Sequence, residues 1–554
     1  MKNHILILLF LLSIFRLNAQ ENNNINDSIL NNNENKISLS SEDQKYELIE
    51  KVGLDERIND FFEPYANDWE ALVLYPLKIS EDLSIPIVLI LLIFGALFFT
   101  FIFKFPNVRN FPLAINTVRG KYDDLEKDKS NNEEGEVSHF QALATAVSGT
   151  VGLGNIAGVA VAIALGGPGA TFWMIICGLI GMSTKFVECT LGVMYRDVDN
   201  NGRVYGGPMY YLSKGLKSKG FKNLGKILGV VFAVLCVGAS FGGGNAFQSN
   251  QATEQITTML NLDSGSSGVF IGIILALLVG VVIIGGIKKI ASVTEKIVPF
   301  MAIIYVLASM IIILANYQFI GDAFILIFNG AFTPEAGLGG VIGVIIVGFQ
   351  RAAFSNEAGA GSAAIAHSAV KTKYPASEGV VGLLEPFIDT VVICTMTALV
   401  IILFNTDVTS TGELTTAYFD YGNAANSKVL LSETGEYIGG VDLTSMAYDS
   451  VLPGFKYVLT IAIVLFAFST MISWSYYGLQ SWKFLFGKGK LTDITYKALF
   501  LIFVVIGSAA TLDAVIKFSD AMILALVFPN MIGLFFLFPD VRKELKKYID
   551  AIKN

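Results

Sequence analysis

Four glycines fall within ten residues at Gly149, Gly152, Gly154 and Gly158, with Ser148, Thr150 and Asn155 set among them. Each glycine costs a helix interior about 1 kcal/mol relative to alanine. The run therefore reads as a place where the backbone leaves helical geometry. An interrupted helix exposes free N–H groups, which attract a carboxylate, and free carbonyls, which coordinate a hard cation. A small-residue face for tight helix packing is the competing reading. The stretch Gln350–Ser362 has the same character, with Arg351 and Glu357 in apolar surroundings beside Phe354, Ser355 and Asn356. Charges within a membrane are costly, so they mark function or pair with one another. The alternative for this pair is an ion pair at the cytoplasmic end of the span. Ser469, Thr470 and Ser473 place hydroxyls on nearly one helix face, next to Trp474. Such hydroxyls also back-bond to their own helix. Asn245, Gln248 and Gln251 offer uncharged hydrogen-bonding groups suited to a zwitterionic solute, or to joining helices.

These residues need elements to hold them. The chain has 554 residues, 53% hydrophobic and only 16% charged, with a mean hydropathy of +0.58. Soluble chains carry about 25% charged residues. Apolar runs of about 20 residues, the length that crosses a bilayer as a helix, recur throughout. An all-α polytopic membrane protein is expected, because long continuous runs do not suit a barrel. The spans are read at 85–104, 140–165, 169–194, 225–260, 267–286, 296–316, 338–367, 378–404, 456–484, 494–512 and 517–538, about eleven in all. The first is an outer helix. The Gly-rich segments are then the first and sixth of ten consecutive spans. Matching breaks in two five-helix halves point to a 5+5 inverted repeat with a midplane site.

Residues 1–19 read as a signal peptide, with a short uncleaved anchor as the alternative. Residues 20–84 form a low-complexity and then amphipathic extracytoplasmic extension, and 85–545 form the transmembrane domain. Lys and Arg gather in alternate loops, among them Lys104, Arg109, Arg196, Arg203, Lys288, Lys371, Lys483 and Arg542. The stretch 317–337 has none, and 405–454 has only Lys428. Both read as external loops. The bias predicts an external N-terminus and a cytoplasmic C-terminus. No basic patch suggests nucleic acid. The four cysteines lie in apolar stretches and read as small buried residues. His4, His139 and His367 show no metal-ligand spacing, and no nucleophile–base pattern marks an enzyme. A receptor whose 20–84 segment binds a partner is a further class, and uptake after deletion of that segment would separate it from a carrier. The oligomeric state stays open.

Gly166-Gly167-Pro168-Gly169 leading to Trp173, then Gly181 to Glu188, Gly206 to Tyr210 and Phe354 to Gly359 form a specific set of motifs. They resemble the alanine/glycine:cation symporter family, also called sodium:alanine symporters, over roughly 85–545. Ile175 stands where that family commonly has a tryptophan. The run Thr150 to Asn155 is also similar to the broken first helix of LeuT-type transporters. The resemblance implies sodium-coupled symport of a small neutral amino acid, alanine or glycine, by alternating access in a bacterial inner membrane. It implies that the amides of Leu153 and Gly154, beside Gly152, hold the substrate carboxylate. Ser148 and Val151 carbonyls, with Thr470 and Ser469 or Ser473, would form one sodium site. Thr150 and Asn155 match ligands of a second. Trp474 would wall a small side-chain pocket. A proton-driven carrier is the alternative, and it needs a titratable group at the site.

Overall fold

A backbone in lipid can bond only within the protein, so long apolar runs fold as helices. The computed structural model describes residues 53–79, 84–126, 135–262, 265–333, 340–410, 414–425 and 427–553. The expected signal peptide and most of the extension lie outside the described residues. Among the described residues, seven helices are long and apolar enough to cross a membrane, or eight if one bent pair counts as a span. All eleven expected segments are helical. Three of them, Ile87–Ile102, Ser267–Ile283 and Gly340–Asn356, have only 16, 17 and 17 residues, at the short end for a span.

In chain order the principal helices are α1 (Leu54–Val73), α2 (Ile87–Ile102), α3 (His139–Thr150), α4 (Ala157–Gly166) and α5 (Gly169–Met194). They continue with α6 (Lys222–Phe241), α7 (Phe247–Leu260), α8 (Ser267–Ile283), α9 (Gly286–Ala315), α10 (Ile320–Phe332) and α11 (Gly340–Asn356). Next come α12 (Pro375–Gly382), α13 (Thr395–Phe404), α14 (Gly440–Val451) and α15 (Lys456–Phe486). The last are α16 (Lys490–Ala509), α17 (Leu512–Ala525) and α18 (Val527–Lys553).

Two groups of helices pack among themselves. In one, α5 lies against α11 and α12; in the other, α15 lies against α6 and α7, and α8 against α16. The broken first segment runs between them, with α3 on α9 and α15 and α4 on α11 and α14. Helices α8 and α9 turn Ile274, Leu277, Leu278, Phe300, Ile303 and Leu307 outward. So large an apolar face suits lipid rather than water.

Both segments expected as loops contain structure. Within 317–337, helix α10 buries Ala323, Ile327 and Ala331 and packs on α5. Within 405–454, strands β1 (Phe419–Ala425), β2 (Lys428–Leu431) and β3 (Tyr437–Gly439) form an antiparallel sheet, followed by α14. Strand β1 and α14 pack on α4, and Thr444 Oγ1 donates to the Ile156 carbonyl at 3.3 Å. Their scarcity of Lys and Arg had marked these stretches only as external loops. Their apolar positions find partners in distant helices, which local pattern does not show.

The amphipathic extension is partly described. Helix α1 turns Asn59, Phe62, Ala66 and Val73 inward and packs on α17. The Asp55 carboxylate accepts from the Gly268 and Val269 amides at 3.0 and 3.1 Å, capping α8. Asn59 Oδ1 accepts from the Thr511 amide at 2.9 Å, capping α17.

Candidate functional site

The first break forms where the glycine run predicts. Helix α3 stops at Thr150, Val151 takes φ −76° and ψ 86°, and Gly152 is extended. One 3-10 turn, Leu153–Asn155, precedes α4, and the two halves are bent by 56°. A Cβ on Gly152 would overlap Thr470 Oγ1 and come within 2.9 Å of Gln248 Oε1. Only hydrogen fits between α15 and α7 at that point. The freed backbone groups then take side-chain partners, as buried polar groups must. The Leu153 amide donates to Gln248 Oε1 at 2.9 Å, and the Gly152 amide to Asn155 Oδ1 at 2.8 Å. Thr470 Oγ1 donates to the Ser148 carbonyl at 2.9 Å, while Ser148 Oγ donates to the Ser469 carbonyl at 2.7 Å. Ser473 Oγ is buried with no partner among the described residues. A Cβ on Gly154 would lie 3.4 Å from the Phe354 ring and 3.6 Å from Ser355 Cα, so the second broken helix closes this side.

That second break starts after Asn356. Glu357 is left-handed at φ 56°, Gly359 and Gly361 follow at φ 98° and 82°, and a short helix resumes at Ala364–His367. Asn356 turns back on its own chain, accepting from the Ala358 amide at 3.0 Å and donating to Thr390 Oγ1 at 2.8 Å. Glu188 Oε1 accepts from the Gly359 amide at 3.0 Å and from Asn530 Nδ2 at 2.7 Å.

Asp389 joins the two breaks. Asn155 Nδ2 donates to its Oδ1 at 2.6 Å, and Ser355 and Thr390 hydroxyls donate to its Oδ2 at 2.9 and 2.7 Å. The glycine run carries no carboxylate of its own, and Asp389 reaches it from a span that the expected site did not include. A signal was present: Glu378, Glu385 and Asp389 lie seven and eleven residues apart in an apolar span, on one helix face.

Three other expected residues have partners that the sequence did not show. Arg351 pairs with Asp520 of α17, supported by Gln350 Nε2 donating to Asp520 Oδ2 at 2.8 Å, and not with Glu357. Asn245 Nδ2 donates to the Phe500 carbonyl at 2.6 Å, tying the α6–α7 segment to α16, and its Oδ1 is buried with no partner among the described residues. Thr150 Oγ1 back-bonds to the Ala146 carbonyl at 3.2 Å. The remaining expected residues, from Ser148 to Asn155 with Gln248, Phe354, Ser355, Asn356, Ser469, Thr470, Ser473 and Trp474, are all buried in the two breaks and the facing helices.

The two described histidines lie in a buried ionic chain rather than apart. His139 Nε2 contacts Glu126 at 2.7 Å, and its Nδ1 contacts Glu378. His367 lies 2.5 Å from Glu378 and 3.4 Å from Glu385, which Lys185 meets at 3.2 Å. Apart from Glu126, which precedes α3, these groups sit on α3, α5, the α12 segment and the short helix after the second break. They are paired, as buried charges must be.

Chemically, the first break presents an amide held by an exchangeable side-chain oxygen. Carbonyl and hydroxyl oxygens lie beside it. A carboxylate can replace Gln248 Oε1 on the Leu153 amide, and a hard cation can take the oxygens.

Residues 75–554 match the model of the sodium:alanine symporter family. The chain is 39% identical over 470 residues to the sodium/alanine symporter AgcS of Methanococcus maripaludis, covering 85% of this chain and 95% of that one. It is 35% identical, over 84% of itself and 90% of the relative, to YrbD of Bacillus subtilis, provisionally named a sodium/proton-dependent alanine carrier. A structural likeness to MhsT in complex with L-phenylalanine covers 74% of this chain and 100% of that one, with 14% identity and a TM-score of 0.46. The chain belongs to the sodium:alanine symporter family, whose members are transporters rather than enzymes.

Proposed function

We propose that this member of the sodium:alanine symporter family carries a small neutral amino acid into the cell together with sodium, by alternating access. The observation that carries the reading is the convergence of Gly152, Gln248 and Thr470, where a Cβ on Gly152 would meet both partners. The substrate carboxylate would displace Gln248 from the Leu153 amide and take that of Gly154. Sodium would sit among the Ser148 and Val151 carbonyls, Thr470 and a neighbouring hydroxyl of Ser469 or Ser473. Asn155 and Asp389 offer oxygens for a second ion. Coupling follows if both ligands favour the same state. The Lys- and Arg-rich loops and the C-terminus would face the cytoplasm of a bacterial inner membrane, and about eleven spans would include a 5+5 inverted repeat.

A proton-driven carrier is the second reading. Asp389 and Glu357 favour it, since both are buried carboxyls at the breaks. Uptake of labelled alanine into proteoliposomes separates the two. Concentrative uptake with a sodium gradient, and not with an equal choline gradient, supports sodium coupling. Equal uptake on a proton gradient alone moves the second reading ahead. Failure of alanine, glycine and serine alike would sink the substrate assignment.

A further inference from the structure

Glu357 is the one charged side chain placed in the left-handed region among the unwound residues 357–363, at φ 56°. A non-glycine residue holds such a conformation only when its surroundings fix it, and such positions cluster at functional sites. Its surroundings do fix it. Glu357 Oε1 accepts from Trp474 Nε1 at 3.0 Å, and Oε2 accepts from Ser362 Oγ. Lys185, the nearby cation, is committed to Glu385 at 3.2 Å. Trp474 is fully buried and lies flush on Gly244, where a Cβ would overlap the indole ring. Trp474 is also one turn from Thr470 on α15, and the neighbouring Gly243 faces the Phe354 ring that closes Gly154. One hydrogen bond thus ties the second broken helix, packed with α5, to α15, packed with α6 and α7.

We propose that Glu357 is a positioning residue for transport: its carboxylate holds the Trp474 indole against Gly244 and so latches the second broken helix to α15 beside the first break. The inference rests on the transport reading above. The latch has two consequences. A fixed indole limits the room for the substrate side chain, which sets size selectivity. Rocking of one helix group against the other would break the bond, so the latch also favours the arrangement of the two groups seen here.

A double-mutant cycle with Glu357→Ala, Trp474→Phe and the double variant tests this, because coupled residues do not lose function additively. The selectivity for alanine over leucine, as the ratio of kcat/KM, is expected to fall about tenfold in each single variant, within the range one pocket contact sets. The double variant is expected to be no worse than either. Glu357→Gln keeps an oxygen for the indole N–H and is expected to stay within twofold of the parent. Additive losses, unchanged selectivity, or a Gln variant as impaired as Ala would overturn the latch. Indole fluorescence gives a readout that does not need transport. Glu357→Ala should shift the emission in the parent and leave it unshifted in the Trp474→Phe background. The same shift in both backgrounds, or none in either, refutes the contact. A parent that carries no small neutral amino acid removes the transport reading, and the emission pair then decides the latch alone.

Discussion

The two breaks look alike in sequence and are held open by different chemistry. At the first, the freed amides of Gly152 and Leu153 meet the uncharged oxygens of Asn155 and Gln248. At the second, the Gly359 amide meets the carboxylate of Glu188, and Glu357 itself bonds to Trp474 and Ser362. A bond to a charged group is worth more than a neutral one and costs more to lose. The freed amides of the first break are thus held by neutral amide oxygens, and that of the second by a carboxyl group.

The comparison can be broken in several ways. Glu188→Ala should have the largest effect, because it strips two buried donors, the Gly359 amide and Asn530 Nδ2, of their acceptor at a cost of about 3 kcal/mol. Thermal melting should drop by several degrees while the sodium concentration for half-maximal uptake stays put. A shift in that concentration would mean that the second break also handles the ion. Gly152→Ala comes next. Its methyl group overpacks Thr470 and Gln248, at about 1–3 kcal/mol, and alanine uptake should fall far more than the melting temperature. Near-normal uptake would remove the first break from the site.

Thr470→Ala and Asn155→Ala should each raise the sodium requirement about tenfold, or about 1.4 kcal/mol, with a smaller effect on folding. An unchanged sodium response in both variants refutes the assignment. Asn245→Ala should do least. It loses one bond to the Phe500 carbonyl, about 1 kcal/mol of stability, and should leave the KM for alanine within twofold. A large rise in KM would restore Asn245 to the substrate site.

Much of this was legible beforehand. Glycine density told where the backbone leaves the helix, since that cost is local. The hydroxyl face of α15 was visible from spacing alone. The partners of Asp389 were not, because three acids on one face of an apolar run mark a polar face and say nothing of what it touches. Arg351 was visible as a buried charge, yet its partner Asp520 lies on another helix, 169 residues away in the numbering. The packed helix α10 and the sheet over α4 were hidden for the same reason.

The sequence by itself determined the membrane class, the helices and the two breaks, because each depends on hydropathy and backbone cost over a few neighbouring residues. The tertiary structure alone decided which polar group meets which. Asn155 and Asp389 meet across 234 residues of chain. In an interior without water an unpaired polar group is costly, and only the packed helices bring those distant groups within reach.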